Sequence, residues 1–417
     1  MTDSKKVLEI TRCRICGSSE LTEVVKLGTQ TLTGVFPSQK DQHIISGPLT
    51  LVKCSSKTGC GLVQLKHSYD LSDMYGMNYG YRSGLNASMV KHLHAKVKGI
   101  LNLGVLKPKD LIIDIGSNDS TTLQGYPKGE YELVGIDPTG VKFKEYYPPE
   151  IRLIPDFFSA DTVAQALDGR KAKVISSISM FYDLEDPVAF AREIEGALDD
   201  DGVWVFEQSY LPAMLRTNSF DTICHEHLEF YALKQINWIA QAAGLKVLDV
   251  EFNDINGGSF SITAAKKDAK HQPNTAVLDK ILADEVELGL DGLAVWEDFN
   301  SNIEREREAL MSFLKDAKSQ GKTVYGLGAS TKGNVLLQYY NIDETLIEGI
   351  GDVNSDKFGS FTPGTLIPIE SEQNVLAKEP DYLVILPWHF RPFFLQLPSM
   401  KGKKLVFPLP KFEIVEL

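Results

Sequence analysis

Short apolar runs alternate with amphipathic and polar stretches along most of the chain, the patterning of an α/β protein. Its clearest unit is Leu111 to Leu123, LIIDIGSNDSTTL. Ile112, Ile113 and Ile115 make the continuous run of a strand covered on both faces, and Gly116 makes a tight turn. Ser117, Asn118 and Asp119 stand where they can cap a following helix. The next apolar run, Leu133 to Ile136, ends at Asp137. Further strands are predicted at Ile151 to Ile154, Val174 to Ile178, Val203 to Phe206, Lys246 to Phe252 and Phe260 to Ala264. Helices are predicted from Asp186 to Leu198 and from Gln235 to Gly244. Asn256-Gly257-Gly258-Ser259 reads as the turn of a hairpin joining the last two strands.

The pattern then repeats. Residues from about Asn274 to Gln320 read as helical, with Leu293, Trp296, Phe299, Ile303, Leu310, Phe313 and Leu314 giving an apolar stripe. A strand over Thr323 to Leu327 runs into the glycine turn GLGASTKGN, and a helix comes next. Leu346 to Ile350 reads as a strand leading to Asp352, and Tyr382 to Leu386 as another, leading to Pro387-Trp388-His389-Phe390-Arg391. Two α/β units therefore succeed an N-terminal segment of different character. The expected division is 1–70, 71–265 and 266–417, with 71–104 forming a tyrosine-rich loop and a lead-in helix, Asn86 to Gly104.

A length of 417 residues with 43% hydrophobic and 24% charged residues allows two or three domains, each with its own core. No apolar run approaches a membrane span, and the opening MTDSKK lacks the apolar core of a signal peptide, so the expectation is a cytoplasmic protein without a membrane partner. A formal net charge of −13 disfavours nucleic acid as a partner and favours a small or nucleotide-sized one.

Four of the five cysteines lie in the first sixty residues: Cys13 and Cys16 as C-x-x-C, then Cys54 and Cys60. In a reducing compartment such a set reads as a tetrahedral zinc site. With four thiolates and no open position the metal would be structural. It would staple a segment with few large apolar residues. A zinc ribbon that binds RNA is the alternative from another functional class.

An acidic residue about 20 positions beyond a glycine turn usually holds the ribose hydroxyls of an adenosine cofactor. That makes Asp114, Gly116, Ser117, Asn118, Asp119 and Asp137 candidate cofactor residues. The second glycine of G-x-G-x-x-G, which admits a pyrophosphate, is missing, and S-adenosylmethionine therefore fits better than NAD. Asp156 and Phe157, after the third strand, stand where adenine would lie, and Met180, after the fourth, is a further candidate cofactor residue. Tyr182, Glu207 and Gln208 lie at strand ends that line the same crevice. His225, Glu226 and His227 stand together in FDTICHEHLEFYAL without the spacing of H-E-x-x-H. Acid–base work fits them better than metal ligation, because a histidine suits removal of a proton from carbon beside a ketone. In the C-terminal unit, Lys332 with the backbone of its glycine turn, Lys357, His389 and Arg391 are candidate phosphate-binding groups. Asn334 stands among the substrate candidates.

Taken together, the four-cysteine N-terminus ending in CGLVQL, then NYGYRSG, DIGSNDSTTL, GIDPT, HEHLEFY, GLGASTKGN and LPWHF resemble the nucleotide-sugar C-methyltransferases that make branched deoxysugars. The resemblance spans nearly the whole chain. It implies a zinc-binding domain, a Rossmann-like class I methyltransferase domain holding S-adenosylmethionine, and a second Rossmann-like domain helping to hold a nucleotide sugar. The implied reaction is deprotonation at C3 of a nucleotide-linked 4-keto-deoxyhexose, followed by methyl transfer to that carbon. His227 matches the family's base, Glu226 its glutamate, and Tyr79 and Tyr81 the loop that faces the sugar, with Tyr81 or His225 as donor to the enolate oxygen. Two positions depart from the family: Cys224 stands where a tyrosine is frequent, and Tyr182 where a histidine is. O-methylation of a sugar or small metabolite is the nearest enzymatic alternative.

Overall fold

The apolar runs of the middle of the chain assemble into one seven-stranded sheet. In the computed structural model, which describes residues 7–69 and 81–417, its strands are β1 (Leu111–Ile115), β2 (Glu132–Ile136), β3 (Ile151–Ile154), β4 (Ala172–Ile178), β5 (Leu198–Ser209), β6 (Leu245–Asn253) and β7 (Ser259–Lys266), counted within this sheet. Their order is β6-β7-β5-β4-β1-β2-β3. β7 runs antiparallel to both its neighbours, and β5, β4, β1, β2 and β3 are mutually parallel. The chain reverses its direction of travel between β1 and β4, so the crevice beyond their carboxyl ends is the place where a ligand can enter.

The two faces are covered differently. Helix Ala87–Asn102 lays Val97 and Ile100 on Ile112, Val174, Val203 and Val205. The opposite face carries Trp204 and Phe206 beneath helices Pro187–Ala197 and Leu233–Ala242. At its centre Phe181, fully buried, meets Phe190, Trp204, Phe206 and Tyr231 at ring distances of 5.8, 5.3, 5.3 and 5.4 Å. Phe181→Ala is expected to cost about 3–5 kcal/mol, read from urea unfolding. A loss below about 1 kcal/mol would show that the cluster repacks freely.

Three expectations are corrected. No α-helix follows Gly116. Asn118 and Ser120 adopt φ of 50° and 64°, a left-handed backbone that a right-handed helix excludes, and only a 3-10 turn forms at Leu123–Gly125. Ser117, Asn118 and Asp119 therefore cap no helix. The helix Ala87–Asn102 occupies the space instead, its His94 bonded to the Thr121 carbonyl at 3.1 Å. The stretch from 274 to 320 is two helices, Thr275–Glu287 and Ala294–Ser319, parted where Gly289 takes a φ of 80°. The strand before Asp352 begins only at Ile350, because Asp343 closes a turn on Thr345 and Ile347.

At the N-terminus, strands Leu21–Thr31, Ser46–Cys54 and Val63–Leu65 form an antiparallel sheet whose edge is completed by Glu229–Phe230, two residues beyond His227. Its apolar face (Val25, Leu27, Leu49, Leu51, Val63, Leu65) shares one core with Trp296, Phe299 and Ile303 of the 26-residue helix. A segment poor in large apolar residues thus borrows its core from the distant C-terminal part. The C-terminal sheet orders Ile369–Ser371, Ile350–Asp352, Val324–Leu327, Tyr382–Ile385 and Lys404–Phe407 in parallel and adds Glu413–Glu416 antiparallel. Among the described residues no helix is long and apolar enough to cross a membrane.

Candidate active site and metal centre

The turn after β1 is built for close approach. Gly116 takes a φ of 69°, and a Cβ placed there would lie 3.4 Å from Cγ of Met180, which reaches across from the end of β4. Asn118 N–H donates to Asp137 Oδ2 at 2.8 Å, and Thr139 donates to Oδ1 through N–H and hydroxyl at 2.7 and 2.6 Å. The carboxylate after β2 is thereby fixed at the mouth of the turn. Asn118 and Asp119 hold the end of the tyrosine-rich stretch: Ser83 N–H donates to Asn118 Oδ1 at 3.0 Å, Asn118 Nδ2 to the Tyr81 carbonyl at 3.1 Å, and Gly84 N–H to Asp119 Oδ2 at 2.9 Å. The Tyr81 side chain is about half exposed beside the turn. Tyr79 lies outside the described residues. Ser117 bonds Tyr147 OH at 2.8 Å. Asp156 accepts from Phe157 N–H at 2.7 Å, with the Phe157 ring exposed.

Asp114 is buried in β1 and accepts from Ser176 Oγ of β4 at 2.5 Å, with burial pushing its carboxyl up to about 7. Glu207, at the end of β5, is bound by His92 at 2.5 Å, Lys96 at 2.8 Å and Asn253 at 2.9 Å. Burial alone would raise it, but His92 and Lys96 together hold it below the ordinary carboxylate range. Its neighbour Gln208 is fully buried, and neither side-chain polar atom has a hydrogen-bond partner among the described residues.

The H-E-H residues separate. His225 turns into the N-terminal sheet, with Nε2 3.4 Å from the Gly47 carbonyl and its ring edge-on to Tyr69 at 4.7 Å. Glu226 points toward Gly34 and Thr331: a Cβ at Gly34 would be 2.7 Å from Glu226 Oε1 and 3.8 Å from Thr331 Oγ1. Burial raises its carboxyl. His227 pairs through Nδ1 with the Thr222 carbonyl at 2.9 Å, which assigns the proton to Nδ1 and leaves the Nε2 lone pair free of that bond. Its ring lies 4.3 Å from that of Tyr182, and both line a small cleft with Ser209, Tyr210, Met214 and Thr222. Burial first, and then the charge of Lys332, push His227 down to about 4.

The C-terminal part touches the same region through two side chains. Lys332 donates from Nζ to the Asn256 carbonyl at 2.6 Å, reaching the turn between β6 and β7. Trp388 Nε1 donates to Asp221 Oδ2 at 2.8 Å, joining the strand-end motif to the turn Phe220–Thr222 that anchors His227. His389 is pushed down to about 3 by burial and by Lys332. The other candidates are engaged elsewhere. Asn334 Nδ2 donates to the Thr33 carbonyl at 2.7 Å, Lys357 to the Ala329 carbonyl at 2.7 Å, and Arg391 to Glu413 at 2.9 Å while stacking on Phe407. Asp221 and Trp388 belong to no motif that assigns them a role from sequence. Their pairing across so many positions leaves no local pattern to read.

The four N-terminal cysteines converge, with all Sγ atoms within 4.8 Å of one another. Cys13–Cys60 is 3.4 Å and Cys16–Cys54 3.6 Å, and none is in a disulfide. Zinc–sulfur bonds of about 2.3 Å place tetrahedral sulfurs about 3.8 Å apart, so the set fits the ion. The hydrogen bond from Cys60 favours thiolate on Cys13, while burial holds the Cys54 thiol up. Arg14, between the first two ligands, donates to the Leu65 carbonyl at 2.7 Å and Ser68 at 2.8 Å, and its Nε lies 3.1 Å from Glu185 and 3.7 Å from Glu229. The metal loop is thereby tied to the strand just beyond His227.

A seven-stranded sheet with an antiparallel seventh strand, a glycine turn after β1 and a fixed carboxylate after β2 define an S-adenosylmethionine-dependent methyltransferase, here with a zinc-binding N-terminal region. Sequence-family models agree: "Putative zinc binding domain" matches residues 13–75, "Methyltransferase domain" 89–250 and "C-methyltransferase C-terminal domain" 254–410. The chain is 28% identical over 418 residues to the C-methyltransferase NovU of Streptomyces niveus, covering 98% of each chain. These matches support an S-adenosylmethionine-dependent methyltransferase that acts on carbon. Among solved structures, it is similar to an S-adenosylmethionine-dependent methyltransferase from Clostridium acetobutylicum (11% identity, 42% of this chain and 92% of that one, TM-score 0.33). It is also similar to a pericyclic reaction enzyme (16% identity, 38% of this chain and 43% of that one, TM-score 0.33), of which it spans less than half the length.

Proposed function

We propose that the enzyme methylates carbon, at C3, of a nucleotide-linked 4-keto-deoxyhexose, with 1–70 carrying the zinc, 71–265 the cofactor and 266–417 part of the nucleotide-sugar site. The observation that carries this reading is His227, with Nδ1 held by a carbonyl and Nε2 left for a substrate proton, in a cleft between the end of β5 and the edge strand Glu229–Phe230 of the N-terminal sheet. The resemblance of the chain to sugar C-methyltransferases supplies the substrate class. S-adenosylmethionine, when bound, supplies an electrophilic methyl group. Gly116, Asn118, Asp119, Asp137 and Met180 would hold it. The chain's own work is to orient the sugar, exclude water and take the C3 proton onto Nε2, with Glu226 behind the same turn.

The experiment is incubation with methyl-labelled S-adenosylmethionine and a panel of nucleoside-diphosphate 4-keto sugars, then location of the label. The expected result is label on carbon, and none after reduction of the ketone to an alcohol. Label on oxygen, or transfer to the reduced sugar, would replace the reading with O-methylation.

The depressed basicity of His227 has a direct consequence. A base held near 4 is still neutral at pH 6.5, where an ordinary histidine is half protonated. As pH falls it keeps its lone pair until close to 4, so kcat/KM is expected to stay level through pH 6.5 and fall only below it. An acid limb centred near 6.5 would contradict the buried, neutral imidazole.

A further inference from the structure

Deprotonation beside a ketone places negative charge on the ketone oxygen, and a donor must meet it there. His225 is turned away into the N-terminal sheet, and Tyr81 stands half exposed at the cofactor turn. Among the described residues, the cation whose charge is felt at His227 is Lys332, from the C-terminal part. Lys332 lies in the first turn of helix Thr331–Tyr340. That helix packs on Phe220–Thr222, with the Phe220 ring 5.6 Å from Tyr339 and 5.4 Å from Tyr340, and Thr222 supplies the carbonyl that holds His227. Its neighbour Thr331 faces the same glycine as Glu226.

The Lys332 ammonium spends one N–H on the Asn256 carbonyl, and no other hydrogen bond to it is formed among the described residues. Asp221 is the nearby carboxylate. One of its oxygens accepts from Trp388, the other has no hydrogen-bond partner, and no contact ion pair with Lys332 forms among the described residues. A half-buried cation with one N–H hydrogen-bonded and no contact counter-ion among the described residues is arranged for a negative charge that arrives with the reaction.

We propose that Lys332 is a catalytic residue that binds the ketone oxygen of the substrate and stabilises its negative charge while His227 removes the adjacent proton. The inference rests on the carbon-methylation reading above. In the step, the C–H pair becomes the C=C bond, the carbonyl π pair moves to oxygen, and the proton passes to His227 Nε2. The oxygen accepts a hydrogen bond from Nζ. When the new C–CH3 bond forms, the ketone is restored, the methyl donor's sulfur keeps the pair of the broken bond as a neutral thioether, and the imidazolium later releases its proton to water.

The test is proton exchange without methyl donor. Wild-type enzyme with an accepted nucleoside-diphosphate 4-keto-6-deoxyhexose in deuterium oxide is expected to wash deuterium into the carbon beside the ketone, seen by NMR. Lys332→Met is expected to lower both exchange and kcat by about 100-fold or more, with KM and nucleoside diphosphate affinity little changed. In Lys332→Ala, added ethylammonium is expected to restore part of the exchange rate. A raised KM with kcat nearly intact would make the lysine a phosphate ligand and overturn the proposal, as would loss of activity with lowered thermal stability and no rescue by amine. Absence of exchange in the wild type with every keto sugar would instead sink the carbon-acid reading itself, before any lysine variant is made.

Discussion

His227→Asn is expected to lower methyl transfer by about 100-fold or more while S-adenosylmethionine binds as in the wild type. The change is local. Asparagine can still donate to the Thr222 carbonyl that now accepts from Nδ1 at 2.9 Å, so the turn Phe220–Thr222 and the edge strand Glu229–Phe230 keep their places. The lone pair on Nε2 is lost. The cofactor turn at Gly116 and Asp137 belongs to different strands and is not hydrogen-bonded to His227 among the described residues. Single-turnover transfer from labelled cofactor, with calorimetry of cofactor binding, separates the two effects. Turnover within a few-fold of wild type would remove His227 as the base and direct attention to Glu226, its neighbour, whose carboxyl is raised by burial.

The second large effect is expected from the metal. A structural zinc site contributes about 10–16 kcal/mol to folding in isolated zinc-finger peptides, comparable with the whole stability of a domain. Cys54→Ser, or prolonged chelation, is therefore expected to abolish the ordered N-terminal sheet and, with it, activity. The route is visible in the structure. Without metal the loop Cys13–Cys16 has nothing to hold Arg14, which grips Leu65, Ser68 and Glu185 and stands beside Glu229. Among the described residues the strand pairing of Glu229–Phe230 is with Val63–Leu65, so its loss loosens the chain just beyond His227. Calorimetry should show a lower-temperature transition in the stripped protein, reversed by added zinc together with activity. Metal-free protein that keeps both its transition and its turnover would show that the four thiols pack well enough unaided.

Much of the fold was legible because it rests on contiguous apolar runs. Ile112 to Ile115 is buried at every position, and a short run of that kind ending at a glycine turn fits a strand covered on both faces. The glycine turns were legible too, since Gly116 and Gly328 both take positive φ beside an acid, Asp137 or Asp352, that accepts backbone N–H groups. The segment just after Gly116 was not legible. Asn and Ser cap helices in most sequences, and only the crowding helix Ala87–Asn102 and the left-handed backbone at Asn118 and Ser120 decide otherwise. Within the site, His225, Glu226 and His227 were legible as a chemical group, but their divergence depends on three different elements. Neither the two-residue pairing of Glu229–Phe230 with Val63–Leu65 nor the Asp221–Trp388 bond has any periodicity to reveal it.

The borrowed edge strand also orders events during synthesis. Val63–Leu65 leaves the ribosome long before Glu229–Phe230 exists, a delay on the order of 10–30 s at typical rates of ~5–20 residues per second. The helix Ala294–Ser319, which covers the same sheet's apolar face, arrives later still. For that interval the nascent N-terminus carries an unpaired edge and an uncovered apolar face, the combination most prone to pairing with another chain. Zinc bound early by Cys13, Cys16, Cys54 and Cys60, all translated by then, would close the strands at one end and keep them in register. In the growing chain the ion would act as a placeholder for residues not yet made.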